Sequence, residues 1–279
     1  MKKKLVLLNL LLVQIALFGT YSCDMFTRKN KKETVAKTPD AQNDGKEEAL
    51  SYELTSLQKK STQCSEANGQ CAEVVVQYPF FKSSNASYIN KVVEDKVKKA
   101  LHETVFNDDV PNVSVEKMAD LIVEDYESFI DEFSDTREKW DINMTVVSTF
   151  QKNQLLSLSF STEAYTGGAH PNSHIEYVIL DVKSKKRLRL EDLVSNEKEL
   201  TAVAERLFRK QKNLSANQSL QGEGYFFDQG KFKLNDNIGL QQNGLVIYFN
   251  NYEIAPYAMG PSAVDIPFYE IKDILKIAY

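Results

Sequence analysis

The 279-residue sequence is poor in the features that mark several large classes of protein. Lysine and arginine, 34 in all, are fewer than the 39 aspartates and glutamates, and the formal net charge is −5. No basic stripe with interleaved aromatic residues occurs, so we predict no nucleic-acid partner. The apolar run from Leu5 to Phe18 is shorter than the roughly 20 residues that a membrane-spanning helix needs, which argues against such a helix there.

The sequence also lacks the usual patterns of catalytic side chains. There is no Gly-x-Ser-x-Gly motif to carry a serine nucleophile. The adjacent acids Glu191 and Asp192 point in different directions, and a pair such as Asp108 and Asp109 is typical of a solvated turn. Each of the three cysteines has another predicted role, so none is left to act as a nucleophile. We therefore predict no catalytic residue, no metal and no cofactor.

The N-terminus predicts export to a bacterial cell envelope. Residues 1–22 contain three lysines, a short apolar segment and small residues, as in a secretory signal peptide. Cys23 resembles the lipidated cysteine of bacterial lipoproteins, which predicts a lipid-anchored protein on a membrane surface; the alternative is ordinary cleavage that leaves a free cysteine. Removal of residues 1–22 takes away three lysines and no acid, which changes the formal charge from −5 to −8. Residues 23–50 are polar and charged, and we predict a disordered tether with a root-mean-square reach of about 30 Å.

The two remaining cysteines, Cys64 and Cys71, flank a short segment that contains the turn-forming pair Asn-Gly. Thiols of exported proteins pair in an oxidising compartment, so we predict a hairpin closed by a Cys64–Cys71 disulfide. The alternative is two reduced thiols in one loop. A zinc site would need further ligands, and none lies nearby in the sequence.

The spacing of apolar residues predicts an α+β fold: an antiparallel sheet with two packed helices, followed by a second, smaller α+β subdomain. In the first half, alternation predicts strands at 51–62, 72–81, 140–150 and 155–165, and spacings of three and four predict helices at 85–106 and 115–133. In the second half, we predict strands at 174–182, 231–235 and 244–249, a closing strand and helical turn at 262–271, a helix at 196–211, and a flexible segment at 213–230.

Residues 165–174, "YTGGAHPNSH", hold two of the three histidines. On a helix, His170 and His174 would lie on one face and could share a metal ion. The residues after His174 are strand-like, however, and four positions along a strand span roughly 13 Å, which is too far for one ion. We therefore predict a tight turn in which Gly167 and Gly168 supply positive φ angles and His170 bonds to the backbone.

Two segments carry a resemblance to a family of bacterial envelope proteins. The first contains Tyr165, Thr166, Gly167, Gly168, Ala169 and His170, and the second contains Tyr252, Glu253, Ile254, Ala255, Pro256, Tyr257, Gly260 and Pro261. Both resemble signatures of the C-terminal domain of unknown function found in RsiV-type envelope proteins. The preceding half resembles the domain that precedes the catalytic domain in PdaC-type proteins, through a cysteine-bounded turn, "VVVQYPFF" and two helices. The resemblance predicts a PdaC-like domain at 51–165 and an RsiV-like domain at 166–279.

The resemblance implies a binding module whose partner is a lysozyme-like protein or cell-wall peptidoglycan. The predicted ligand-binding residues are Tyr165, Gly167, Gly168, His170, Tyr252 and Tyr257, on two loops that we expect to be neighbours and to expose Met259 as well, because tyrosine offers a partner both an apolar face and a hydroxyl. The alternative for Tyr252 and Tyr257 is packing in the core with a hydrogen-bonded hydroxyl. The separate catalytic domain of the deacetylases is not found in this sequence, so we do not expect an enzyme.

Two alternatives to the binding module remain. A hydrolase using His170 predicts a concave pocket with a second titratable group within about 3–4 Å of that histidine. A purely structural accessory protein predicts no exposed aromatic patch around Tyr252 and Tyr257.

Overall fold

The computed structural model describes residues 50–62, 64, 69–83, 86–133, 136 and 138–279, all of which belong to one compact unit. The predicted signal peptide, the predicted lipidation site Cys23 and residues 23–49 of the predicted tether lie outside the described residues. None of the helices in the described part of the chain is long and apolar enough to cross a membrane.

A six-stranded sheet runs through the middle of the fold. Its strands are β1 (Tyr52–Lys60), β2 (Cys71–Phe81), β3 (Lys139–Lys152), β4 (Leu155–Tyr165), β5 (Asn172–Asp181) and β6 (Lys186–Leu188), and they lie in that order. Four of the five neighbouring pairs are antiparallel, as predicted. The exception is the parallel pair of β2 and β3, because the two helices between these strands return the chain to the end of the sheet where β2 began.

Two helices cover one face of this sheet, as predicted: α1 (Ala86–His102) and α2 (Val115–Glu132). The side chain of Ser114 accepts a hydrogen bond from the Lys117 backbone N–H (3.1 Å), which fixes the start of α2. The apolar stripes of both helices and the inner face of the sheet form one core, which includes the fully buried residues Ile89, Leu101, Met118, Ile122, Ile142, Met144, Leu156 and Leu158.

A second layer covers the opposite face of the same sheet. It consists of a three-stranded antiparallel sheet and three helices: β7 (Ile238–Gln241), β8 (Gly244–Phe249), β9 (Ser262–Pro267), α3 (Leu190–Leu193), α4 (Glu197–Gln211) and α5 (Phe268–Ile271). The hydroxyls of Thr149 and Ser157, on the large sheet, bond to the backbone O and N–H of Leu240 in β7. The large sheet therefore lies between two cores. The end of the first predicted domain, residue 165, is the last residue of β4, and β4 pairs with β5 of the second predicted domain in this same sheet.

The α+β class is confirmed, and two details of the second half differ from prediction. The strand predicted at 231–235 is wrong: Phe232 and Leu234 are buried at alternate positions, but the strand that pairs with β8 is β7. The segment predicted to be flexible lacks regular structure apart from one 3-10 turn at Asp228–Gly230, yet it packs tightly. Its residues Leu220, Tyr225 and Phe227 belong to the second core.

The predicted disulfide is confirmed. Cys64 and Cys71 are bonded, with their Cα atoms 4.4 Å apart, and Cys71 is the first residue of β2. The bond lies beside the turn between β1 and β2, where Gly69 has a φ of 70°.

Candidate functional site

The turn between β4 and β5 carries the first of the two sequence motifs. Gly167 and Gly168 have φ angles of 99° and 91°, so both occupy the left-handed region that glycine tolerates best. The hydroxyl of Tyr165, the last residue of β4, donates to the Gly168 carbonyl oxygen (3.1 Å) and closes the turn. A side chain at Gly167 would also meet the Glu138 carboxylate, since an ideal Cβ there lies 3.2 Å from its Oε2. The predicted turn is therefore present.

The second motif folds against this turn and completes an aromatic cluster of His170, Tyr252 and Tyr257. The rings of His170 and Tyr257 are stacked, with centroids 3.7 Å apart and planes 16° apart. Tyr252 completes the group, with its centroid 5.6 Å from that of Tyr257 and 6.2 Å from that of His170. The structure thus brings together three of the six predicted ligand-binding residues, while Tyr165, Gly167 and Gly168 shape the turn beneath them.

Hydrogen bonds fix the orientation of each ring in the aromatic cluster. His170 Nδ1 lies 2.9 Å from the Pro171 carbonyl oxygen, and this oxygen also accepts from the Tyr257 hydroxyl (2.9 Å). Because a carbonyl can only accept, Nδ1 carries a hydrogen and donates it. In the neutral imidazole, Nε2 is then the acceptor, and the Tyr252 hydroxyl donates to it across 3.1 Å. His170 therefore links the two motifs through Nε2, and the Pro171 carbonyl oxygen links them through the Tyr257 hydroxyl.

The aromatic cluster is accessible from solvent. Tyr252 is 57% exposed, while His170 and Tyr257 are half-buried. Tyr252 also has a φ of 64°, an unusual backbone conformation for a residue with a large side chain. Strained backbone of this kind is concentrated at functional sites, which makes the loop a candidate for binding.

Two further apolar side chains extend the exposed surface beside the aromatic cluster. Met259 is 41% exposed, and Phe226 is 56% exposed. Phe226 belongs to the adjacent irregular segment, and its backbone N–H donates to the Ile254 carbonyl oxygen (2.8 Å) of the second motif. Sequence reasoning missed Phe226, because its neighbours Tyr225 and Phe227 are both buried and nothing in the local pattern marks the middle residue as exposed.

Asparagine side chains attach the second motif to the large sheet. Asn250 accepts from the Ile175 N–H (2.7 Å) and donates to the Ile175 carbonyl oxygen (3.1 Å). Asn237 accepts from the Tyr177 N–H (2.8 Å) and donates to that same Ile175 oxygen (2.6 Å). These amides occupy the part of the β5 edge that the short strand β6 leaves uncovered. Sequence reasoning missed both asparagines.

Two family models match this chain, one over its N-terminal part and one over its C-terminal part. Residues 65–173 match the family model for deacetylase PdaC, and residues 191–269 match the model for a protein family of unknown function, DUF3298. The chain has a PdaC-like N-terminal region and a DUF3298 C-terminal region. His170 lies in the first matched range and Tyr252 and Tyr257 in the second, so the aromatic cluster is built from both regions.

Individual relatives are distant. The peptidoglycan-N-acetylmuramic acid deacetylase PdaC of Bacillus subtilis (strain 168) is 21% identical over 217 residues, and the match covers 76% of this chain and 41% of the deacetylase. The chain thus spans less than half the length of this curated relative. A DUF3298 crystal structure from Bacteroides fragilis NCTC 9343 has a TM-score of 0.63 at 20% identity, covering 82% of this chain and 95% of that one. A second, from Pseudomonas aeruginosa PAO1, has a TM-score of 0.59 at 18% identity, covering 81% and 94%. These two likenesses establish a shared fold.

The second histidine of the first motif lies apart from the aromatic cluster. His174 is exposed on β5 and lines a cavity of about 270 Å³ in the PdaC-like region, together with Lys96, Thr162, Thr166 and Glu176 among others. His170 lines neither this cavity nor those of about 370 Å³ and 250 Å³ elsewhere. Within the described ranges, no group of three histidine, cysteine, aspartate or glutamate side chains lies close enough together to hold a metal ion.

Glu176 is the most strongly paired acid of this cavity. Burial alone would raise the pKa of Glu176, but its ion pairs with Lys96 and Arg187 (3.1 Å to Arg187) outweigh burial and hold that pKa below its ordinary value of about 4.5. A lowered folded-state pKa contributes stability above the ordinary value, and this stability is lost as the pH falls through the lowered one.

Replacement of Lys96 by methionine should therefore destabilise the protein near neutral pH and matter less in acid. We expect a loss of about 1 kcal/mol in the free energy of unfolding at pH 7, since the pair is partly exposed. The difference between wild type and Lys96→Met should begin to shrink as the pH falls below about 4.5, where the unfolded chain takes up a proton, and should be lost as the pH falls through the lowered pKa of folded Glu176. Urea unfolding at a series of pH values measures this difference. A difference that stays constant into the acid range would contradict the assignment.

Proposed function

We propose that the protein is a cell-envelope binding module that takes cell-wall glycan on its exposed aromatic cluster. The PdaC-like and DUF3298 regions indicate a cell-envelope-related protein. The observation that carries the finer proposal is the cluster itself: three rings from two motifs, oriented by hydrogen bonds and open to solvent. The B. subtilis relative is named for a reaction on peptidoglycan, which supports the choice of glycan as the ligand.

The chemistry of the cluster suits a sugar. Aromatic rings offer flat apolar faces to the C–H faces of a sugar ring, and tyrosine hydroxyls add hydrogen-bonding groups at the edge. The hydroxyls of Tyr252 and Tyr257 are both oriented by partners in the turn, so little side-chain freedom would be lost on binding.

The test is co-sedimentation of the protein with purified insoluble peptidoglycan. We expect wild type to be retained and Tyr252→Ala to bind about tenfold more weakly, equivalent to about 1.4 kcal/mol. Tyr252→Phe keeps the ring and loses the hydrogen bond to His170, so it should fall between the two. The matched control is Tyr269→Ala, which removes a tyrosine that is 72% exposed on α5 and should leave retention unchanged.

Other results would overturn glycan binding in distinct ways. Retention on immobilised lysozyme, with none on peptidoglycan, would identify a lysozyme-like protein as the partner, and the chain's net charge of −5 favours encounter with a cationic protein. Release of acetate or sugar from peptidoglycan, lost in His170→Ala, would support the hydrolase. The 3.1 Å contact of His170 with the Tyr252 hydroxyl meets the distance criterion for that alternative. Binding to neither material would contradict the proposal.

A further inference from the structure

The β5–β6 turn and β6 form a concentrated basic surface on an acidic protein. Residues 182–189, here named the cationic hairpin, read "VKSKKRLR" and contain five cations and no acid. All five are exposed: Lys183, Lys185, Lys186, Arg187 and Arg189. Lys186 pairs with Asp192 and Arg187 with Glu176, whereas Lys183 and Lys185 form no ion pair with another side chain in the described part of the chain. The charge at the tip of the hairpin is therefore available to a partner.

The hairpin tip also has a fixed shape. Both the Lys183 and the Ser184 backbone N–H groups donate to the Asp181 carboxylate, across 2.9 Å and 3.0 Å. Lys185 has a φ of 56°, which turns the chain back into β6. More positive charge lies near the hairpin, since Lys276 donates to the Glu191 carbonyl oxygen (2.7 Å) just beyond β6.

The strand register places the cationic hairpin at the end of the sheet where the described chain begins. Tyr52, at the start of β1, pairs with Phe81, at the end of β2. Since β2 and β3 are parallel, the end of β3 lies at this same end of the sheet. At this end, Lys152 of β3 pairs with Leu155 of β4, and Leu155 pairs with Asp181 of β5. Asp181 in turn pairs with Lys186 of β6, so the cationic hairpin lies at this end as well.

The aromatic cluster lies at the opposite end. Tyr165 and Asn172, which flank its turn, are the last residue of β4 and the first of β5. The ten residue steps along β4 span roughly 33 Å at about 3.3 Å each. The large sheet therefore separates the cationic hairpin from the cluster by about its full length.

We propose that the cationic hairpin docks onto the phosphate headgroups of an anionic bilayer and so directs the aromatic cluster away from the membrane. Clusters of lysine and arginine beside a membrane attachment point are attracted to anionic lipid surfaces. The described chain begins at this end of the sheet, and the residues that precede it in the sequence include the predicted lipidation site Cys23 and the apolar run Leu5 to Phe18, which favours a bilayer over a soluble anion. The proposal does not depend on which ligand the aromatic cluster takes.

The test is binding of the full chain to two kinds of vesicle, one of phosphatidylcholine alone and one that also contains phosphatidylglycerol. The N-terminal apolar run can contribute to both, so the difference between the two isolates the charge-dependent part. We expect tighter binding to the anionic vesicles and a decline as salt is added. Replacing both Lys183 and Lys185 by glutamine should weaken binding to the anionic vesicles by about 25-fold, at about fivefold for each cation.

A matched control separates the hairpin from net charge. Lys231 and Lys233 are also exposed, also two residues apart and also without an ion pair to a described side chain, but they lie outside the cationic hairpin, on either side of the buried Phe232 of the second core. Their double glutamine variant changes the net charge equally and should bind the anionic vesicles like wild type. Circular dichroism and the unfolding temperature confirm that both variants are folded.

Three results would overturn the proposal. The first is equal binding to both kinds of vesicle, and the second is an equal loss in the two double variants. The third is tight binding to soluble inorganic polyphosphate with no preference for anionic vesicles, which would identify an anionic polymer as the partner. Peptidoglycan retention of Lys183→Gln/Lys185→Gln should stay at the wild-type level, so failure here leaves the glycan-binding test unaffected.

Discussion

Replacing Phe208 by alanine is expected to lower the free energy of unfolding by about 3–5 kcal/mol. Phe208 is fully buried on α4, at the centre of the second core. Its ring lies within 5.0 Å, 5.8 Å and 5.4 Å of the rings of Tyr225, Phe227 and Phe232, measured between centroids. Truncation would leave a cavity lined by rigid rings that cannot move inward to fill it. Thermal unfolding should shift downward by about 6–20 °C.

Phe226→Ala is the matched control, because it removes the same side chain from a position 56% exposed to solvent, beside two of the contacts of Phe208. Its cost should be within about 0.5 kcal/mol. Equal unfolding temperatures for the two variants would contradict the packing described for α4. The same pair also separates fold from function, since Phe226 lies on the exposed surface beside the aromatic cluster and Phe208 does not.

The environment of Phe208 shows where sequence reasoning stops. The spacing of Leu200, Val203, Ala204 and Leu207 predicted α4 correctly, because amphipathic spacing is a local property of a helix. The segment 213–230 was predicted to be flexible, since it is rich in asparagine, serine and glycine. Its burial depends on Leu220, Tyr225 and Phe227 reaching a core built by distant residues. The spacing of apolar residues within a segment cannot reveal contacts with residues that are distant in the sequence.

In the candidate site, too, one part could be predicted from the sequence and another part could not. We predicted from the residue types that the two motifs form neighbouring loops, and the 3.7 Å stacking of His170 on Tyr257 agrees with this. The roles of individual residues were less accessible. Pro171 serves through its carbonyl oxygen, which any residue possesses, so its identity carried no signal. Asn237 and Asn250 look like ordinary turn residues in the sequence, and only the open edge of β5 gives them a function.

The last prediction concerns the open edge of β5, where the Asn250 side chain binds Ile175. Replacing Asn250 by alanine removes the acceptor of the Ile175 N–H and leaves this half-buried group without a partner, which costs about 1–3 kcal/mol. The Ile175 carbonyl oxygen keeps its bond from Asn237, so the loss is local. We expect amide hydrogen exchange at Ile175 to become about 30-fold faster, equivalent to about 2 kcal/mol, while exchange in the first core stays unchanged.

The loop that begins at Asn250 also carries Tyr252 and Tyr257, so Asn250→Ala should loosen the aromatic cluster and reduce peptidoglycan retention together with the exchange protection.

Asn250→Asp is the informative partner variant. Its carboxylate still accepts from the Ile175 N–H, but it loses the donor to the Ile175 oxygen, which Asn237 also supplies, and sets a second acceptor oxygen against that carbonyl. Exchange at Ile175 should then be slower than in Asn250→Ala. If both variants exchange equally fast, the hydrogen bond between the Ile175 N–H and the side chain of residue 250 is not what holds the loop. If alanine accelerates exchange yet leaves peptidoglycan retention intact, the cluster does not need this attachment to bind, because its own bonds through His170 position the rings.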